Sequence, residues 1–151
     1  VGTLHSYWRK HMDLVTEHPQ LNLFDRSWPV RGLPTQSMPT KFFYKNTEGR
    51  TLDNSLINGG CMITDAQITS SVLFERVTVE EGSVIDSAVI LPNVKIGKNC
   101  QLRNCIIERS CVIPDGMQIG VNPEEDAKHF RISSSGEVVL VTPTMLAKLK
   151  A

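Results

Sequence analysis

Between residues 60 and 121, apolar and polar positions recur every seventeen residues. Written in rows, the stretch reads GCMITDAQITSSVLFER, VTVEEGSVIDSAVILPN and VKIGKNCQLRNCIIERS, and a fourth row, CVIPDGMQIGVN, breaks off. One column holds Met62, Val79, Ile96 and Ile113; another holds Ala66, Ser83, Cys100 and Met117. Further columns are Ile68, Ile85, Leu102 and Ile119; Ser71, Ala88 and Cys105; and Val72, Val89 and Ile106. Gly60, Val77, Val94 and Cys111 open the rows. Seventeen residues are too many for one strand and too few for a helical hairpin of about 34. They suit one coil of a β-solenoid with three short faces, each a strand rich in β-branched residues. Turn formers fall between the strands, at Gly82, Pro92-Asn93, Asn99 and Asp115-Gly116. An antiparallel sandwich would also show short strands, but not aligned columns at one period. The period leaves the handedness of the coil open, and parallel crossovers are normally right-handed.

The flanks carry other patterns. Leu4, Tyr7, Trp8, His11, Leu14 and Val15 recur at helix spacing over residues 1–18, with Thr3 as N-cap and Pro19 just past the end. Residues 19–56 hold Pro29, Pro34 and Pro39 and little periodicity. They predict an extended connector, a strand near Lys41–Tyr44 and a loop at Asn46–Arg50. Asn122-Pro123-Glu124-Glu125-Asp126 is a helix start, with a capping Asn, a first-turn Pro and acids at the positive end of the dipole. Residues 130–141 read as a hairpin turning at Ser134-Ser135-Gly136, and Thr142-Pro143 opens a last helix, 143–150. These pieces cover the last coil, which a solenoid requires. The expected organisation is one domain in three parts: 1–56 helix and connector, 57–121 coils, 122–151 cap.

Composition changes the picture in three ways. Sixteen basic residues balance sixteen acidic ones, which argues against general nucleic-acid binding. No apolar run approaches the 18 residues of a membrane span. Aromatics make up 6% of the chain, as a narrow interior of Val, Ile, Cys, Ser and Ala requires. Cys61, Cys100, Cys105 and Cys111 form no C-x-x-C pair; three of them fall in the repeat's columns, so all four read as reduced core residues of a cytoplasmic protein. Val1 opens the chain without a starting Met or a signal-peptide pattern, which reads as a piece of a longer protein.

Several segments together resemble the C-terminal domain of the bacterial ADP-glucose pyrophosphorylase (glucose-1-phosphate adenylyltransferase) family. They are Val1–Leu4 with Tyr7-Trp8, Leu23–Val30, Asn54–Cys61, Ser71–Val77, Asp86–Pro92, Cys111–Gly116, Asn122–Ala127 and Val139–Thr142. The resemblance implies a single-stranded left-handed parallel β-helix with a helix before it and a helical and hairpin cap after it. It implies a role in subunit assembly, in a homotetramer, and in allosteric control of an enzyme for glycogen synthesis. The family's N-terminal Rossmann-like domain makes ADP-glucose and pyrophosphate from ATP and glucose 1-phosphate. This chain begins just after the family's Trp-Arg-Asp segment, whose aspartate resembles a magnesium ligand. No catalytic, metal or cofactor residue is therefore expected here; magnesium belongs to the full-length enzyme, and the chain alone is expected to be inactive.

The family's effectors are anionic sugar phosphates and nucleotides, such as fructose 1,6-bisphosphate and AMP, which call for arginine forks. Arg109, in Glu108-Arg109-Ser110-Cys111, matches an arginine that contacts the regulator, and Arg76 stands one column over and two coils away. Lys95, Lys98 and Arg103 are also corner cations and read as solvated charges. Some members carry arginines in the last helix where this chain has Pro143 and Ala147, leaving Lys148 and Lys150. Two rivals remain. An acyltransferase needs a general base at a coil edge, but His5, His11, His18 and His129 all lie outside 60–121. A stand-alone assembly module would instead be revealed by self-association of the coils.

Overall fold

Two- and three-residue runs of β-branched and apolar residues become strands, and the residues between them turn corners. A computed structural model describes residues 2–33, 36–45, 48 and 51–150. Pro34 and, apart from Glu48, the loop expected at Asn46–Arg50 lie outside the described residues. In chain order, α1 spans Leu4–Leu14, and the stack opens with β1 (Lys41–Phe43), β2 (Thr51–Asp53) and β3 (Leu56–Ile57). The next coil has β4 (Met62–Thr64), β5 (Gln67–Thr69) and β6 (Val72–Leu73); above it lie β7 (Thr78–Val79), β8 (Val84–Asp86) and β9 (Val89–Ile90). Then come β10 (Lys95–Ile96), β11 (Gln101–Arg103) and β12 (Cys105–Ile107), followed by β13 (Val112–Ile113) and β14 (Gln118–Ile119). The cap comprises α2 (Pro123–His129), β15 (Arg131–Ile132), β16 (Val139–Val141) and α3 (Pro143–Leu149).

The strands stack into three sheets, one per face of the solenoid. The first face runs β1-β4-β7-β10-β13, the second β2-β5-β8-β11-β14 and the third β3-β6-β9-β12-β16-β15. Among the described residues coil-to-coil pairing is parallel, and β15–β16 alone is antiparallel, as the expected hairpin requires. The C-terminal strand β16 takes the third-face place of the coil that breaks off, pairing Cys105 with Val139 and Ile107 with Val141. Two strands, β1 and β2, precede residue 57 and are already part of the stack, and β3 begins at Leu56.

Each corner carries a residue in the left-handed region on every coil: Asp65, Gly82, Asn99 and Gly116 at one, Asn54, Ser70, Ser87 and Asn104 at the next. The third corner has Gly60, Arg76, Asn93 and Ser110. The expected turn residues Gly82, Asn93, Asn99 and Gly116 are all among them. Asn and Asp tolerate this backbone; Arg76 and the serines hold it at a cost of about 1 kcal/mol each.

The register corrects two columns. Met62 pairs with Thr78 and Ile63 with Val79, an offset of sixteen, whereas β7 to β10 is offset by seventeen. The inward column is therefore Ile63, Val79, Ile96 and Ile113, and Met62 points out with 54% of its surface exposed. Likewise Cys61, not Gly60, lies under Val77, since the Met62 amide donates to the Val77 carbonyl. The cause is a shorter corner: Thr64-Asp65 turns where Glu80-Glu81-Gly82 turns one coil above.

The third face is covered on both sides. Its inward residues include Leu73, Ile90 and Ile107; outward, Val89 and Ile106 meet Leu4, Tyr7, Trp8 and Met12 of α1. The Trp8 indole N–H donates to the Ser87 carbonyl at 2.6 Å, and the His11 ring lies tilted against Phe74, 5.9 Å between centroids. Thr3 caps α1 as expected. The helix ends at Leu14 rather than continuing to residue 18. Val15 and Thr16 bond back to Met12 and Asp13, and the Asp13 carboxylate accepts from the Gln20 amide, turning the chain.

Asn122 caps α2 by accepting from the amides of Glu124 and Glu125. The buried Asp126 carboxylate ties α2 to the last coil by accepting from the Gly120 amide at 2.9 Å. Burial raises its pKa above the ordinary carboxyl value. Folding thus favours the protonated form, so this group adds stability as pH falls through its folded pKa. Asp126→Ala is expected to cost about 1–3 kcal/mol by leaving the Gly120 amide unpaired, and Asp126→Asn, which keeps an acceptor without charge, much less. Urea unfolding at neutral pH measures both.

Candidate functional site

The third corner joins the third face to the first and is where the expected site residues fall. Its successive segments are Asn58-Gly59-Gly60, Phe74-Glu75-Arg76, Leu91-Pro92-Asn93 and Glu108-Arg109-Ser110. Backbone bonds stack them: Arg76 N–H to Gly59, Asn93 N–H to Glu75 and Ser110 N–H to Pro92, at 3.0–3.2 Å. Arg109 therefore sits over Pro92 and Glu75, facing solvent. Arg76 is exposed on the same corner two coils below, about 10 Å along the stack at a spacing of about 4.8 Å per coil. Its Nε donates to Asn93 Oδ1 at 2.8 Å, so the side chain runs along the corner toward the coil beneath Arg109.

Charge pairing separates these two arginines from the other corner cations. Lys95 lies 3.8 Å from Glu80, Lys98 3.4 Å from Glu81 and Arg103 3.7 Å from Asp86. Glu81 also accepts from Lys45 at 3.0 Å, and Lys45 is the main cause holding its carboxyl below the ordinary range. Such exposed pairs are screened by water and add little stability, but they neutralise the cations locally. Among the described residues Arg109 has no hydrogen bond or ion pair, and Arg76 is bonded only to a neutral amide. Of the cations between residues 57 and 121, the two expected effector residues are thus those without an acid partner.

A groove of about 240 Å³ opens beside Arg109, between β13 and α3. Ser110, Val112, Leu146, Leu149 and Lys150 are among the residues that line it. Pro143 and Ala147, where the resemblance places arginines, also line it. The groove is therefore apolar-walled with a single ammonium, a feature sequence reasoning missed; its signal was the amphipathic Leu146–Lys150 stretch next to the last coil. Lys148 is exposed and outside the lining.

Elsewhere the reactive groups are committed to packing. His5 bonds Glu137 at 2.8 Å, and His11 bonds the Tyr7 carbonyl at 2.9 Å. His18 and His129 are exposed and outside residues 60–121. All four cysteines are free and buried, as the repeat implies. Burial pushes the Cys111 thiol up to about 12 and raises Cys61, Cys100 and Cys105 as well. Iodoacetamide at pH 8 is expected to leave all four unmodified in the native protein and to label all four in denaturant, as read by intact mass. Among the described residues no group of three or more His, Cys, Asp or Glu side chains could hold a metal ion. Also among them, no helix is long and apolar enough to cross a membrane.

Residues 38–141 match the family model described as GlmU-like, C-terminal hexapeptide. The whole chain is similar to curated proteins named glucose-1-phosphate adenylyltransferase. Identity is 60% over 150 residues with that of Haemophilus influenzae (strain 86-028NP), 61% over 149 with Pasteurella multocida and 59% over 150 with Actinobacillus succinogenes. Each match covers 99% of this chain and 34–35% of the relative, so the chain spans about a third of the length of these relatives.

Proposed function

Because the chain belongs to the GlmU-like, C-terminal hexapeptide family, we propose that it is the regulatory and assembly domain of a glucose-1-phosphate adenylyltransferase. The observation that carries this reading is near-60% identity along 99% of the chain to relatives of that name, three times its length. The full-length enzyme makes ADP-glucose and pyrophosphate from ATP and glucose 1-phosphate in the cytoplasm, for glycogen synthesis. Its magnesium is held by the nucleotidyltransferase domain, and no step of the reaction runs through residues of this chain. The coils contribute to a homotetramer, and the third corner takes an anionic sugar phosphate or nucleotide.

The corner supports that last point physically. Arg109 is a solvated fork with no carboxylate to displace, and Arg76 adds a second positive charge at a distance suited to a bisphosphate or nucleotide. Lys150 and Ser110 extend the donors along the neighbouring groove. The test is to assay the full-length protein for ADP-glucose formation with and without fructose 1,6-bisphosphate and AMP, and this domain alone beside it. Synthesis by the full-length protein, modulated by either effector, and none by the domain alone, is the expected result. Acyl transfer from acyl-CoA by the domain would replace this reading with an acyltransferase.

A further inference from the structure

The left-handed residues of the third corner form one column, Gly60, Arg76, Asn93 and Ser110, stacked coil on coil. Its members on either side of Arg76 hold that side chain. Below, Gly60 has no side chain, and the Arg76 stem lies over the gap: a Cβ on Gly60 would come within 3.2 Å of Arg76 Cγ. Above, Asn93 Oδ1 accepts from Arg76 Nε–H at 2.8 Å. The arginine is thus packed at its stem and fixed at its head. It runs up the corner to the level of Asn93, one coil and about 4.8 Å along the stack below Arg109.

The bond to Asn93 also decides which donors remain. A guanidinium grips an oxyanion side-on, through Nε and one Nη, or end-on, through both Nη. Asn93 takes Nε, which leaves the end-on fork. Asn93 is a neutral amide, so it orients Arg76 without offsetting its charge. Lys95, Lys98 and Arg103, by contrast, lie against Glu80, Glu81 and Asp86. An exposed arginine loses rotamer freedom when it closes on a ligand. Holding it beforehand takes that cost out of the binding step.

We propose that Asn93 is a positioning residue of this corner, which presents Arg76 end-on to a phosphoryl group bound beside Arg109. The proposal deepens the effector reading of the corner and rests on it. Asn93 acts through Arg76 rather than on the ligand.

Two substitutions separate orientation from charge, and Gly and Asp both accept the φ of 62° at position 93. Asn93→Gly removes the acceptor and leaves Arg76 charged but free. Asn93→Asp keeps the acceptor and sets a carboxylate against Arg76. The measurement is the concentration of fructose 1,6-bisphosphate, and of AMP, for half-maximal effect on ADP-glucose synthesis by the full-length enzyme. Asn93→Gly is expected to raise it about two- to tenfold, the cost of ordering one rotamer-rich side chain on binding. Asn93→Asp is expected to raise it at least as far, because its charge competes with the anion. In an Arg76→Ala background Asn93→Gly is expected to add nothing, whereas a general loosening of the corner would add its effect there too.

No rise with Asn93→Gly where Arg76→Ala gives one overturns the positioning and leaves the corner standing, whatever Asn93→Asp does. An equal rise in both backgrounds overturns it as well, since Asn93 would then act without Arg76. An Arg76→Ala enzyme of normal sensitivity also overturns it, while a response to Arg109→Ala still upholds the corner. If neither arginine variant moves either effector's curve, the effector reading falls, and the positioning with it.

Discussion

Arg109→Ala in the full-length enzyme is expected to raise the activator concentration for half-maximal stimulation about tenfold or more, with basal turnover changed far less. A charge-assisted hydrogen bond contributes about 1.5–3 kcal/mol, and about 1.4 kcal/mol corresponds to tenfold. The low end applies, because Arg109 is exposed and water competes for its donors. No compensating term opposes the loss: no acid of the described residues is paired with Arg109, so truncation frees no carboxylate. Arg109→Lys keeps the charge but not the fork and should fall between the two. Arg103→Ala is the control. Its side chain faces Asp86 on another corner, so activation should be unmoved. Activation curves at fixed substrate measure all three, and an Arg109→Ala enzyme with unchanged activator sensitivity would defeat the corner as the effector site.

Much of the charge pattern at the corners is legible in the sequence. At a period of seventeen, Lys98 falls over Glu81 and Arg103 over Asp86, so those pairs are implied by the rows themselves. The Lys95 and Glu80 pair is not, because its partners come from different columns. The left-handed corners were legible where Gly and Asn mark them, but Arg76 and Ser110 adopt the same backbone without any local signal, held by the coils above and below. The docking of α1 on the third face was hidden for another reason. Val72, Val89 and Ile106 were visible as an apolar column, yet they point outward. The clue was that neighbouring positions 71, 72 and 73, and 88, 89 and 90, are all non-charged, as in a strand buried on both sides. The groove between β13 and α3 depends on where a capping helix comes to rest, which periodicity does not encode.

The largest stability contrast comes from the register of the first full coil. Ile63→Ala is expected to destabilise the domain by about 2–5 kcal/mol, and Met62→Ala by no more than about 0.5 kcal/mol. Strict seventeen-residue rows place Met62 inside with Val79, and that arrangement would reverse the two outcomes. Ile63 is 1% exposed in a column with Val79, Ile96 and Ile113, and removing its branched chain opens a void that rigid coils on either side cannot collapse into. Met62 shares its outward column with Thr78, Lys95 and Val112, half in water, so truncation removes little buried surface. One residue decides which side chain points in, because strand side chains alternate and a slip of one exchanges the faces. The two-residue corner at Thr64-Asp65 sets that slip. Equilibrium urea unfolding of Met62→Ala and Ile63→Ala, compared at a common m-value, is the measurement. Equal losses for the two would mean that the coil is not held in this register.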